Sequence, residues 1–208
     1  MRPPLDVGFD LEHATVVSAL THSLARVGDG ELRILAGEDA NRQVHSVSLA
    51  LELASLIEHP GHCWVAAPHC HGKRSSWWRT FLDAYGAPIR WGAWGSSFIS
   101  RPDEAPWINC QSYWRLMRGI WCQKKVTLVG CGNSLTPRHM TDAASVRWVE
   151  IPERDAYQQI DVIDGRVGHP DVAVLCAGPA GAILAHRLCR RGIHTVDLGH
   201  VGQFMPNL

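Results

Sequence analysis

The sequence predicts an α/β chain, Rossmann-like, with a mostly parallel sheet and helices on both faces. Three observations carry that expectation. From residue 125 onward, short apolar runs alternate with segments of helical periodicity, the rhythm of successive βαβ units. Two of the runs, KVTLVG and DVAVLC, are nearly continuous in apolar residues, as strands covered on both faces are. At 208 residues and 46% hydrophobic, the chain can bury a core of that size, read as one domain over 1–208.

The elements follow in order. Residues 11–25 (LEHATVVSALTHSLA) have helical spacing. The GDGE stretch at 28–31 then reads as a turn, because glycine takes positive φ at no steric cost. Residues 43–58 repeat apolar positions at helical spacing and stop at His59-Pro60. CWVAAP (63–68) is a short buried strand, and SSWWRTFLDAY (75–85) a helix that ends at Gly86. Residues 86–110, rich in Gly, Pro and Trp, read as irregular, and QSYWRLMRGIWC (111–122) as helix. KVTLVG (125–130) is a strand running into a CGN loop, RWVEIP (147–152) a second strand and AYQQIDVIDGRV (156–167) a helix. DVAVLCAGP (171–179) is a strand, 180–192 a helix closed by Gly192, and HTVDLGH (194–200) the last strand. Ligands of such sheets bind beyond the carboxyl ends of the strands. The loops after 130, 152, 176 and 197 are therefore where a site is expected.

Twenty basic and 20 acidic side chains cancel, which argues against a generic nucleic-acid binder. No run approaches the ~18 apolar residues of a membrane span, and MRPPLDVGFD lacks a signal peptide's apolar core. A cytoplasmic location is the expectation. Seven cysteines with no CxxC pair fit reduced thiols buried as small hydrophobes. HCWVAAPHCHG (62–72) crowds His62, Cys63, His69, Cys70 and His71 together, but adjacent residues rarely chelate one zinc ion. Nine tryptophans, several beside basic residues as in KRSSWWR (73–79), read as core packing or as a stacking surface for sugar rings or nucleobases.

Two glycine-rich stretches carry the chemistry. RVGDGE (26–31) sets Asp29 and Glu31 either side of Gly30, a turn or a site for a hard cation or a phosphate. VLCAGPAGA (174–182) invites a dinucleotide reading, but Cys176 stands where the first glycine of that fingerprint belongs, and too few residues follow Gly181 for a flavin domain. A strand, a glycine turn and a helix N-terminus able to receive a phosphate remain.

Taken in order, RVGDGE, Gln43, SSFISRP (96–102), LVGCGNS (128–134), IPERDAY (151–157), GPAG (178–181) and DLGH (197–200) resemble the GT-D type glycosyltransferases. The resemblance implies metal-dependent transfer of a sugar from a nucleoside-diphosphate sugar, a UDP-sugar first, to an acceptor hydroxyl with inversion. The acceptor it implies is a glycan or glycoprotein, while the tryptophans and basic clusters of this chain also fit a hydroxymethylated base in DNA. By the same resemblance Asp29, Glu31 and His200 hold Mn2+ (or Mg2+), and Arg26, Gly28, Asp29, Gly30, Arg101, Asn133, Ser134, Gly178 and Pro179 hold the nucleotide sugar. The family's acidic tail, which carries its catalytic base, is replaced here by VGQFMPNL, and Ala180 stands for the threonine of the GPTA element. The base is accordingly sought at Asp197 or Asp103. Two alternatives stand beside transfer: an inactive nucleotide-sugar binding module, and a nucleic-acid binder using the Trp, Arg and Lys clusters.

Overall fold

A computed structural model describes residues 11–69, 75–86, 94–132 and 135–205. Its centre is one seven-stranded sheet, parallel at every strand pair. The strands are β1 (Leu24–Arg26), β2 (Trp64–Ala67), β3 (Trp94–Ser96), β4 (Lys125–Gly130), β5 (Ser145–Glu150), β6 (Val172–Cys176) and β7 (Thr195–Asp197), ordered β3-β2-β1-β7-β6-β4-β5. The helices are α1 (Leu11–Ala19), α2 (Asp29–Leu35), α3 (Val47–Glu58), α4 (Ser75–Phe81), α5 (Gln111–Arg118), α6 (Ile160–Val167) and α7 (Pro179–Arg190).

Burial explains the two-sided cover. Every residue of β1, β6 and β7 is buried, which a parallel sheet achieves only with both faces packed. α7 lies along β1 and β7 with α3 and α6 beside it, while α1 packs against β3 and α5. The α7 sequence PAGAILAHRLCR buries the continuous run Pro179–Ala185, because its small residues let the helix sit close to the sheet. The chain leaves β4 for the edge strand β5, but leaves β6 inward for β7. Adjacent strands with diverging connections open a crevice at their carboxyl ends.

The second half matches its sequence expectation element by element. The first half needs three corrections. The helix at 11–25 stops at Ala19, and Leu24–Arg26 is strand β1. This three-residue strand, paired with β2 on one side and β7 on the other, is too short to show a period of its own. GDGE is not a turn between elements. Asp29 and Gly30 are the first two residues of α2, entered directly from β1. Finally, the stretch expected to be irregular contains edge strand β3, followed by a 3-10 turn at Ser97–Ser100.

Among the described residues, Trp78, Trp114 and Trp121 are fully buried, and Trp64, Trp107 and Trp148 pack partly buried against the core. No helix among the described residues is long and apolar enough to cross a membrane.

Candidate functional site

The site is assembled where five strands end. β1 delivers Arg26, and the chain passes through Val27 and Gly28 into α2. Gly28 caps that helix, and its N–H donates to Glu31 Oε2 at 2.7 Å. A Cβ on Gly28 would lie 3.3 Å from the same oxygen, so glycine keeps the contact open. Glu31 is thereby turned inward. Burial pushes its carboxyl up to about 7, against the pull of Arg26 and the Gly28 N–H, and Asp197 adds to the push. Asp29, two residues earlier, is exposed on the cavity wall.

Arg26 is 9% exposed. Its Nη1 donates to the Ser97 carbonyl at 3.0 Å, while its Nε has no hydrogen-bond partner within the protein. A buried guanidinium N–H left unsatisfied is costly, and Arg26 is one of the residues lining a cavity of about 460 Å³. β7 supplies the counter-charge behind it. Asp197 is buried, accepts the Gly199 N–H at 2.9 Å and packs over Gly181 at the start of α7, where a Cβ would lie 3.3 Å from its Oδ2. Burial pushes Asp197 up to about 6, partly offset by Arg26. Gly199 has φ +54°, and a Cβ there would stand 2.7 Å from Cζ of Arg26. Conformation and space both demand glycine at that position.

His200 comes next on the cavity wall. Desolvation among the surrounding side chains, then the guanidiniums of Arg26 and Arg101, hold its imidazole down to about 4, against Asp29 and Asp103. It is therefore neutral at neutral pH, with a lone pair to offer. Arg101 reaches the cavity from beyond the 3-10 turn. Its Nε and Nη2 donate to Asp103 at 2.8 and 2.6 Å, and Glu104 lies 3.5 Å away.

The far wall comes from the other strand ends: Cys131 after β4, Ile151 and Pro152 after β5, and Cys176 to Pro179 after β6. Gly178, at φ +56°, turns the chain so that Pro179 opens α7 at the cavity edge. Pro179 has no N–H and the Gly181 N–H donates to the Gly178 carbonyl at 2.7 Å, so what this end of α7 offers an anion is chiefly its dipole. All four loops expected from the sequence contribute, together with the one after β1.

Of the expected residues, Arg26, Asp29, Gly30, Glu31, Arg101, Gly178, Pro179 and His200 share the cavity. Gly28 lies behind it as the cap of α2. Asp197 and Asp103 do not line it: the first ties β7 to Gly199, the second holds Arg101. Asn133 and Ser134 lie outside the described residues. The cavity also gathers Asn41, Arg42, Glu153 and Gln203, which the sequence reading missed. Two loops are pinned together to place the first three. Gln43 Oε1 accepts the Tyr157 N–H at 3.1 Å, Asp155 Oδ1 the Val44 N–H at 2.7 Å, and the Arg42 carbonyl the Asp155 N–H at 2.8 Å. Exposed polar loop residues show no periodicity. The buried Gln43 was the available signal.

Two other sequence clusters lie elsewhere. His69 is buried against Glu12, and Cys70 and His71 lie outside the described residues. Arg118 pairs with Asp142, and Lys124 Nζ lies 3.5 Å from the Leu20 carbonyl. Lys73 and Arg74 are outside the described residues. Among the described residues, no three His, Cys, Asp or Glu side chains converge to hold a metal ion by themselves. Asp29 and His200 both line the cavity, and of the expected metal set they are the two side chains whose donor atoms no hydrogen bond among the described residues takes up.

Comparison with known proteins agrees with this architecture. The family model for the glycosyltransferase GT-D fold matches residues 24–203. "Glycosyltransferase GlyD" of Streptococcus pneumoniae serotype 4 is 25% identical over 97% of this chain and 28% of its own length. "Probable glycosyl transferase Gly" of Streptococcus gordonii is 24% identical over 86% of this chain and 29% of its own. The chain thus spans under a third of either curated relative. Among solved structures, "A New Glycosyltransferase (DUF1792) from Streptococcus sanguinis" superposes with a TM-score of 0.78 at 21% identity, covering 94% of this chain and 81% of that one. A second, described as a highly conserved domain with a distinct glycosyltransferase fold, gives 0.77 at 21% identity over 90% of this chain and 75% of that one. With an all-parallel sheet of this order and a family model matched over nearly all of it, the chain belongs to the glycosyltransferases of the GT-D fold.

Proposed function

We propose that this chain transfers a sugar from a nucleoside-diphosphate sugar, a UDP-sugar, to an acceptor hydroxyl of a glycan or glycoprotein. One observation carries the reading: a buried arginine, Arg26, lines a cavity that also receives the N-terminus of α7. Both features favour an anion at that point, and a diphosphate supplies one.

Around that anchor the other residues take defined parts. Arg101, oriented by Asp103, offers a second guanidinium. Cys131, Ile151, Pro152 and Ala156 give the apolar wall on which the nucleoside rests. Asp29 and neutral His200 would hold Mn2+ or Mg2+ against the diphosphate. Such a cation relieves the charge that builds on the leaving group. Glu31, occupied by Gly28, shapes the wall. Direct displacement by the acceptor inverts the anomeric centre and requires a proton acceptor within hydrogen-bond reach. Of the carboxylates that line the cavity, Asp29 is given to the cation and Glu31 to Gly28, which favours Glu153 over Asp197 and Asp103 for that part.

The test is nucleotide release from a panel of UDP-, GDP- and dTDP-sugars with Mn2+. Slow hydrolysis of one donor, lost in Asp29→Asn, is expected. If every donor binds and none is ever turned over, with or without saccharide acceptors, the protein is a binding module instead.

A further inference from the structure

The crowded stretch HCWVAAPHCHG holds a thiol that the cavity does not use. Cys63 stands just before β2, at the amino end of the sheet and so opposite the cavity, and is 1% exposed. α7 starts at the cavity edge and runs back along the sheet, so its last turn carries Cys189 to that same end.

Ser23 fixes the meeting of the two. Its carbonyl accepts the Trp64 N–H at 2.8 Å, which seats the residue after Cys63 against it. Its hydroxyl accepts the Thr195 N–H at 3.1 Å and lies 3.4 Å from the Ile193 carbonyl. The Ile193 N–H in turn donates to the Leu188 carbonyl at 3.0 Å, closing the end of α7 onto the same place. Residues 63 and 189 are thus drawn in from two sides. Their thiols hydrogen-bond to each other, and the Ser23 hydroxyl bonds Cys189 as well.

The two thiols are unequal. Cys63 is buried, and its S–H has the Trp64 carbonyl, 3.7 Å away, as a second acceptor. Cys189 is half-buried at the margin of the core. The hydrogen bond from Cys63 holds the Cys189 thiol below its ordinary range against the push of burial, and Ser23 and His62 add to the pull. The same contact, with burial, pushes Cys63 up. A reachable sulfur with thiolate character beside a buried thiol that keeps its proton is the pairing of an attacking and a resolving cysteine.

We propose that Cys189 and Cys63 form a reversible oxidation site, at which a hydroperoxide converts the pair to an internal disulfide tying the end of α7 to the entrance of β2. The Cys189 sulfur attacks one peroxide oxygen. An S–O bond forms, the O–O bond breaks, and the departing hydroxide takes up a proton as water. The Cys63 sulfur then attacks that of Cys189. The S–S bond forms, the S–O bond breaks, and hydroxide leaves with the Cys63 proton as a second water. The sulfurs give up two electrons and the peroxide takes them, and a dithiol reductant reverses the change. The cavity at the opposite end of the sheet takes no part, so the site stands apart from the glycosyl-transfer reading.

The test exposes the fully reduced chain to equimolar hydrogen peroxide at neutral pH, then maps every cysteine by alkylation and peptide mass spectrometry. Cys110 and Cys122, both exposed, serve as internal comparison. A peptide pair linked through Cys63 and Cys189 is expected as the main disulfide, and dithiothreitol should remove it. Cys63→Ala should leave Cys189 as a sulfenic acid that dimedone traps, and Cys189→Ser should slow oxidation of Cys63 at least tenfold, with circular dichroism unchanged in both. The wild type repeated in urea needs no variant to fold, and there the linked pair should lose its predominance. Oxidation of Cys110 or Cys122 ahead of a still-reduced pair would overturn the proposal. So would oxidation of Cys63 at an undiminished rate in Cys189→Ser, or a Cys63–Cys189 link as abundant in urea as in the folded chain.

Discussion

Arg26 is the residue on which the site turns. It lines the cavity, keeps one buried N–H unpartnered, and has Glu31 and Asp197, two buried acids, for electrostatic neighbours. Replacing it with methionine leaves those acids without their counter-charge, and such losses cost about 3–5 kcal/mol. Arg26→Met should therefore unfold at clearly lower urea than wild type. Gly199→Ala makes a subtler point. Alanine at φ +54°, pressed on the guanidinium, should cost about 1–3 kcal/mol in the same titration and weaken donor binding by displacing Arg26. The two acids of the DGE element separate as well. A turn carboxylate would contribute little to stability, but Glu31 accepts the N–H of the capping Gly28, so Glu31→Ala should lower stability by about 1 kcal/mol. Asp29→Asn should leave the melting temperature unchanged and remove the metal dependence of donor binding. Equal destabilisation by both would contradict this division.

At the scale of elements, a buried network holds the far edge of the sheet. Glu12 of α1 accepts from Ser96 at 2.6 Å and from Trp107 at 3.0 Å, and its Oε1 lies 2.7 Å from His69 Nε2. Burial alone would raise the Glu12 carboxyl, but His69, Ser96 and Trp107 together hold it below its ordinary value of 4.5. A carboxylate depressed in the fold contributes stability above its unfolded value and loses it as pH falls through its folded one. Wild type should therefore lose melting temperature steeply below pH 4.5, and Glu12→Gln should flatten that acid limb while lowering stability at neutral pH. Parallel acid limbs would remove Glu12 from the account. This network also shows what sequence could not deliver. Glu12, His69 and Ser96 are far apart in the chain, and β3, which brings Ser96 in, is three residues long. By contrast β4, β6 and α7 were legible, because a covered strand must be apolar throughout and a helix laid on a sheet must be small along one side. The strand-end loops were legible for the same reason. Asn41 and Arg42 were not, since loops pinned by Asp155 and Gln43 place them.

For the molecule as a whole, one parallel sheet sets the layout. Its carboxyl end, gathered from β1, β7, β6, β4 and β5, surrounds the cavity that Arg26 lines. Its α2 and α4 side carries an aromatic ladder of Trp77, Phe81 and Tyr85, and Arg33 of α2 touches both the ladder and the cavity. The central claim is that the cavity around Arg26 receives a nucleotide diphosphate. Calorimetric titration of UDP into the wild type and Arg26→Lys, with and without Mn2+, tests it most directly. The account predicts saturable binding strengthened by Mn2+, weakened at least tenfold in Arg26→Lys, because lysine keeps the charge but loses the planar fork. Binding that is indifferent to Arg26→Lys, or absent for UDP and for GDP and dTDP alike, would contradict it.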